Sequence, residues 1–315
     1  MKHTALRHFL KDSDLSQAEQ AEVLELAIKI KQDRVGYQVL AGPKAVAVLF
    51  DKHSTRTRVS FAVGVAELGG YPLIIDAAGS QSSRGESVED TTRVLDRQVA
   101  AIVWRTFGQE RVEAMARISR VPVVNALTDE FHPCQVLADL MTVAEELGGV
   151  DQLPGTKLAF LGDGSFNMAH SYLLGGAVAG LHVALATPAS RQPLPQVLAQ
   201  AQSIAAQTGG SVTVTDSASQ AVAGAQVVAT DTWVSMGMEG DAAAEQLYAP
   251  YRVNQQLMDQ AAPGAIFLHC LPAYREHEVT TQVIDGPASR IWDEAENRLH
   301  AQKALLIWLL RQAGE

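Results

Sequence analysis

Short apolar runs rich in β-branched residues alternate with segments of helical period along almost the whole chain, and this alternation restricts the architecture more than any other feature. Runs near 45–50, 72–75, 101–104 and 121–125 are separated by helical patterns near 55–68, 86–98 and 109–118. Parallel strands need a crossover long enough to hold a helix, so this rhythm predicts βαβ units and a parallel sheet. A second series follows Leu147-Gly148-Gly149, with runs near 157–161, 182–186, 211–214, 226–230 and 265–269 and a further short run at Ile291-Trp292. The expected fold class is therefore α/β with two doubly wound domains, each having a central parallel β-sheet flanked by helices. The first domain is expected over 1–134, a linking helix over 135–148 and the second domain over 149–295. The stretch 296–315 reads as a long C-terminal helix with Leu299, Leu306 and Leu310 among its apolar positions.

A chain of 315 residues is too long for one ordinary core and fits two domains of about 150 residues. The longest strongly apolar stretch, near Ala304 to Leu310, is far short of the roughly 18 residues a membrane span needs. The first eleven residues carry positive charge without a sustained apolar region, unlike a secretory signal. Two cysteines, Cys134 and Cys270, cannot make a disulfide framework and fit a reducing, cytoplasmic setting. No His/Cys cluster has ligand spacing, so no metal is expected. A net charge of −10 argues against nucleic acid as a partner. It does not exclude a small anionic substrate, because Arg56, Arg105, His132 and Arg298 can make one region locally cationic.

The segment Ser54-Thr55-Arg56-Thr57-Arg58 follows the strand-like run 45–50 and precedes Phe61, Val65 and Leu68 at helical spacing. A helix N-terminus there exposes backbone N–H groups without intrahelical acceptors, at the positive end of the macrodipole. Arg56 adds a fork that matches two phosphate oxygens. The segment is therefore a seat for a phosphate, or else a capped helix start with solvated arginines. Arg105 closes the strand-like run 101–104, where it can meet a ligand at the carboxyl end of a parallel sheet or serve a surface ion pair. His132 and Gln135 stand three apart at a helix start beside Pro133 and can point into one site, although a helix-capping histidine is the alternative. Gly162-Asp163-Gly164-Ser165-Phe166-Asn167 lacks the third glycine of a dinucleotide fingerprint. Asp231 ends the run 226–230 and suits a substrate cation, or an N-cap or turn. The glycine-bearing stretch after it can close over a bound ligand. Cys270 follows the run 265–269, where a free cysteine is ordinarily a small packed hydrophobe.

Together with Phe131-His132-Pro133-Cys134-Gln135, Asp231-Thr232-Trp233-Val234-Ser235-Met236-Gly237 and His269-Cys270-Leu271-Pro272-Ala273, the Ser54 segment resembles the signature segments of the aspartate/ornithine carbamoyltransferase family. The Ser-Met-Gly and His-Cys-Leu-Pro segments resemble its ornithine branch. The likeness runs from about Leu15 to the last helix, with Cys134 standing where many members have threonine and Phe166 where a polar residue is frequent. It implies transfer of a carbamoyl group from carbamoyl phosphate to the δ-amine of L-ornithine, giving L-citrulline and phosphate, with no cofactor.

It further implies carbamoyl phosphate contacts from Ser54, Thr55, Arg56, Thr57, Arg105, His132, Gln135, Cys270, Leu271 and Arg298, and from Gln81 of a neighbouring subunit in a trimer. Ornithine contacts would come from Asn167, Asp231, Ser235 and Met236. Arg105, His132, Asp231 and Cys270 would carry the chemistry, Leu271-Pro272 would be a cis peptide, and the terminal helix would pack on the first domain. Within this class the alternative is a putrescine or modified-ornithine transferase. Outside it, the alternative is a non-catalytic binding module.

Overall fold

A computed structural model describes residues 6–76, 85–233 and 242–314. The expected positions Gln81, Ser235 and Met236 lie outside the described residues. The chain divides into two compact units, one formed by Met1–Ala138 with Glu296–Glu315 and the other by Asp139–Ala295.

The first unit opens with α1 (Gln17–Gln32) and continues through β1 (Ala45–Phe50), α2 (Arg56–Glu67), β2 (Tyr71–Asp76), α3 (Val88–Leu95), β3 (Ala101–Arg105), α4 (Gln109–Ile118) and β4 (Val123–Leu127). Its four strands are parallel in the order β2-β1-β3-β4. The strands β1 and β3 are almost wholly buried. That explains why they read as continuous apolar runs rather than alternating ones: helices cover both faces of a parallel sheet. Two helices are shared between the units, α5 (Pro133–Leu147) at the first passage of the chain and α12 (Ile291–Ala313) at the second.

The second unit runs through β5 (Lys157–Leu161), α6 (Asn167–Val178), β6 (His182–Ala186), α7 (Pro195–Thr208), β7 (Ser211–Thr215), α8 (Ala218–Val222) and β8 (Val227–Thr230). It continues with α9 (Ala242–Tyr248), α10 (Gln255–Met258), β9 (Ile266–His269) and α11 (Thr281–Ile284). Its five parallel strands take the order β7-β6-β5-β8-β9. The fold is α/β and doubly wound in both units, and residues 296–315 pack into the first unit. One expectation is corrected. Ile291-Trp292 is not a strand but the start of α12, Ile291 buried and Trp292 exposed. Two apolar neighbours carry no period, so they cannot distinguish strand from helix.

Each sheet reverses its winding at one place. From β1 the chain steps outward to β2, then returns to the other side of β1 for β3. In the second unit the same reversal falls between β5 and β8. Adjacent crossovers leave in opposite directions there, and the carboxyl ends of the two strands at such a point are where open α/β sheets ordinarily bind ligands.

Candidate active site

In the first unit the reversal places the end of β1 beside the end of β3. Phe50 pairs with Arg105, and the Asp51 N–H donates to the Arg105 carbonyl at 2.9 Å. The chain then turns through Ser54 into α2, whose N-cap is Thr55 and whose first residue is Arg56. The Thr55 side chain makes no capping bond, so the first backbone N–H groups of α2 are not covered by their own cap. Thr55 and Arg56 are exposed, Ser54 is half-buried and Thr57 is fully buried.

Thr57 is where distant parts of the unit meet. Its hydroxyl accepts from the Arg298 guanidinium at 2.7 Å and from Arg105 at 3.4 Å, and both arginines are buried. His132, at the start of α5, is buried too. Burial and the charges of Arg298, Arg105 and Arg56 hold its imidazole well below the usual histidine range, so it is neutral at ordinary pH and retains an N–H to donate. Three separate arginines thus act on one buried ring, which defines a cationic, water-poor region suited to a phosphate. Gln135 is fully buried one turn into α5, its N–H donating to the His132 carbonyl at 3.0 Å. Cys134 donates its thiol to the Asn125 carbonyl at 3.4 Å, and burial pushes that thiol up to about 12, so it is a packing group.

Sequence reading missed the support beneath this seat. The Asp51 carboxylate accepts from the Trp104 indole at 3.1 Å, the Thr106 hydroxyl at 2.5 Å and Arg111 at 3.3 Å, which fixes the residues flanking Arg105. Its place directly after β1 was the available signal.

In the second unit Asn167 begins α6 after the β5 turn, Asp231 directly follows β8 and Cys270 directly follows β9. The structure brings the last two together, the Cys270 thiol donating to Asp231 Oδ1 at 3.2 Å. Burial, then the carboxylates of Asp231 and Glu294, hold that thiol well above the usual cysteine range. Cys270 is therefore a protonated donor and not a thiolate nucleophile.

The turn after β9 is held by buried acceptors. His269 donates its backbone N–H to Glu294 at 2.8 Å, and its Nδ1 accepts from the Leu271 N–H at 2.9 Å. An accepting Nδ1 leaves the ring proton on Nε2, which faces Glu278 at 3.1 Å. Glu278 also accepts the Tyr274 N–H at 2.6 Å. Leu271 adopts φ 56 before a cis Leu271-Pro272 bond, as expected. Asp231, His269 and Cys270 bring ligand-type atoms within 4.8 Å of one another, but the hydrogen bonds above already engage both imidazole nitrogens.

The arginines gathered on Thr57 at one sheet's reversal, and the carboxylate–thiol pair that follows β8 and β9 in the other, fit a group-transfer enzyme of the α/β class that handles an anionic substrate. Residues 7–145 match the aspartate/ornithine carbamoyltransferase carbamoyl-P binding domain, and residues 154–309 match the Asp/Orn binding domain of the same proteins. The ornithine carbamoyltransferase of Bifidobacterium longum subsp. infantis is 62% identical over 309 residues, covering 98% of this chain and 96% of that protein. That of Clavibacter sepedonicus is 61% identical over 308 residues, covering 98% and 99%. The solved ornithine carbamoyltransferase from Pyrococcus furiosus superposes with a TM-score of 0.91 at 42% identity over 97% of each chain. This chain belongs to the aspartate/ornithine carbamoyltransferase family, and it is a carbamoyltransferase.

Proposed function

We propose that this chain transfers the carbamoyl group of carbamoyl phosphate to the δ-amine of L-ornithine, giving L-citrulline and phosphate. The observation that carries the reading is the convergence of Arg105 and Arg298 on Thr57 at the N-terminus of α2, with His132 held neutral in the same cationic field.

The leaving phosphate sits against Ser54, Thr55 and Thr57 with Arg56 as a bidentate partner. Thr57, Arg105 and His132 donate to the carbonyl oxygen as negative charge develops there. Gln135 and the Leu271 carbonyl orient the carbamoyl NH₂. Asp231 and Cys270 orient the neutral δ-amine, and Asn167, with Ser235 and Met236, receives the amino-acid end. The amine lone pair attacks the carbamoyl carbon, the carbon–oxygen bond to phosphate breaks, and the amine proton leaves with the phosphate. Positioning and fixed dipoles supply most of the acceleration, since no side chain forms a bond to substrate.

The proposal extends to a cytoplasmic enzyme of arginine biosynthesis working as a homotrimer, with Gln81 reaching a neighbour's site. Exposed Val59 and Val63, one turn apart on α2, and exposed Tyr71 on the edge strand β2 support an assembling face on the first unit. Citrulline formation measured with ornithine, acetylornithine, putrescine and aspartate tests the activity. Ornithine should be turned over fastest by a wide margin, and faster turnover of any other amine overturns the reading. Sedimentation of the purified chain tests the trimer.

A further inference from the structure

The turn between β5 and α6 closes on a single buried carboxylate. Asp163 is 5% exposed. Its Oδ1 accepts from the Ser165 backbone N–H at 2.8 Å and the Ser165 hydroxyl at 2.5 Å, and its Oδ2 accepts from the Tyr248 hydroxyl. The turn has little slack. Gly162 sits at φ 134, and a Cβ on Gly164 would lie 2.6 Å from the Arg191 carbonyl. Asn167 opens α6 directly after this turn, so Asp163 lies in the segment that delivers Asn167.

Tyr248 connects the same turn to the neighbouring strand. It ends α9 and is 1% exposed, and its ring stacks on Trp233 at 5.9 Å between centroids and 29° between planes. Trp233, itself buried, stands two residues after Asp231. One phenol therefore touches the turn that carries Asn167 and the segment that carries Asp231. Asp163, Trp233 and Tyr248 all belong to the second unit.

We propose that Asp163 and Tyr248 are positioning residues for the second substrate, their hydrogen bond setting the relative placement of Asn167 and Asp231 on which binding of the amino acid depends. This rests on the function proposed above. A phenol donating to a carboxylate is a charge-assisted bond, about twice as strong as a neutral one, and burial shields it from competing water. A binding constellation must be held to within about 0.5 Å, so removing such a bond is felt by the ligand it positions. The phosphate seat, built from the other unit, is left intact.

Steady-state kinetics of the full chain carrying Tyr248→Phe or Asp163→Asn, each substrate varied in turn, tests this. In Tyr248→Phe the KM for ornithine is expected to rise about tenfold or more, the factor equivalent to ~1.4 kcal/mol. Asp163→Asn should raise it in the same direction, and the KM for carbamoyl phosphate should stay within about twofold in both. Carbamoyl phosphate binding by calorimetry checks that each variant is folded. An unchanged ornithine KM, a parallel rise in both constants, or loss of carbamoyl phosphate binding overturns the proposal. A wild-type chain that makes no citrulline would instead sink the proposed function, and the two failures are distinguishable.

Discussion

Thr57 offers a neutral hydroxyl to two buried guanidinium groups. Its substitution therefore tests the seat without altering formal charge. Thr57→Val keeps the shape and deletes the common acceptor, together with the donor proposed to face the substrate. Carbamoyl phosphate affinity should fall by about 1.5–3 kcal/mol, as for hydrogen bonds to charged groups, which calorimetry would measure directly. His132→Ala should lower kcat by about 10²–10³, the usual effect of losing one donor to a developing oxyanion. The carbamoyl phosphate KM should change less, because the donor acts mainly in the transition state. The cysteines make a third test at this scale. Both thiols are held above the usual range, so iodoacetamide at pH 7–8 should alkylate neither in the native protein. Mass spectrometry finding rapid modification of Cys270 would contradict the protonated donor described for it.

At the scale of elements, α1 shows how local chemistry reaches beyond its own turn. Ser16 and Glu19 form a reciprocal capping box, and Arg7 adds bonds to Glu19 at 2.6 and 3.2 Å while lying 5.0 Å from the Trp308 ring centroid on α12. The hydrogen bond from Arg7 depresses the Glu19 carboxyl from its usual 4.5 to about 2. A carboxyl depressed on folding contributes stability that is complete above its unfolded value and lost as pH falls toward the folded one. Wild type and Glu19→Gln should therefore differ by about 1 kcal/mol at pH 6, solvent limiting the pair. The difference should shrink between pH 4.5 and about 2. A gap that persists unchanged to pH 2 in urea titrations would rule the ion pair out as its source.

These elements also show what a sequence exposes. The central strands were legible because both faces of a parallel sheet are covered, which turns them into unbroken apolar runs such as Ala45–Phe50. The candidate site residues Thr57, Arg105 and His132 were legible because they follow those runs in recognisable segments. Asp163 was not, since its role depends on Tyr248, 85 positions further along the chain. Nor was Asp51, whose three donors come from β3 and beyond. Support for a site is a tertiary property, and only contact reveals it.

On the scale of the whole molecule, a net charge of −10 and the proposed anion seat coexist because two of the seat's three arginines, Arg105 and Arg298, are buried and come from remote segments. Arg298 reaches Thr57 across 241 positions of sequence. Carbamoyl phosphate at about a hundred times its Kd should stabilise the protein by ~2.7 kcal/mol. It should slow amide exchange in α2, in the first turn of α5 and around Arg298 together. Protection confined to α2 would mean that the three segments do not form one seat.

The discontinuity of the first unit has a consequence for biogenesis. The second unit is one continuous stretch, Asp139–Ala295, whereas the first needs Glu296–Glu315 to be whole. A ribosome delivers the chain from its N-terminus, and domains fold as their segments emerge. The half made first is therefore the half completed last, waiting as a partial core while the later half can already fold. Until Arg298 has been synthesised, nascent chains should have no working phosphate pocket. Chains arrested just before residue 296 should show protease-resistant second-unit fragments while Met1–Ala138 is still cleavable.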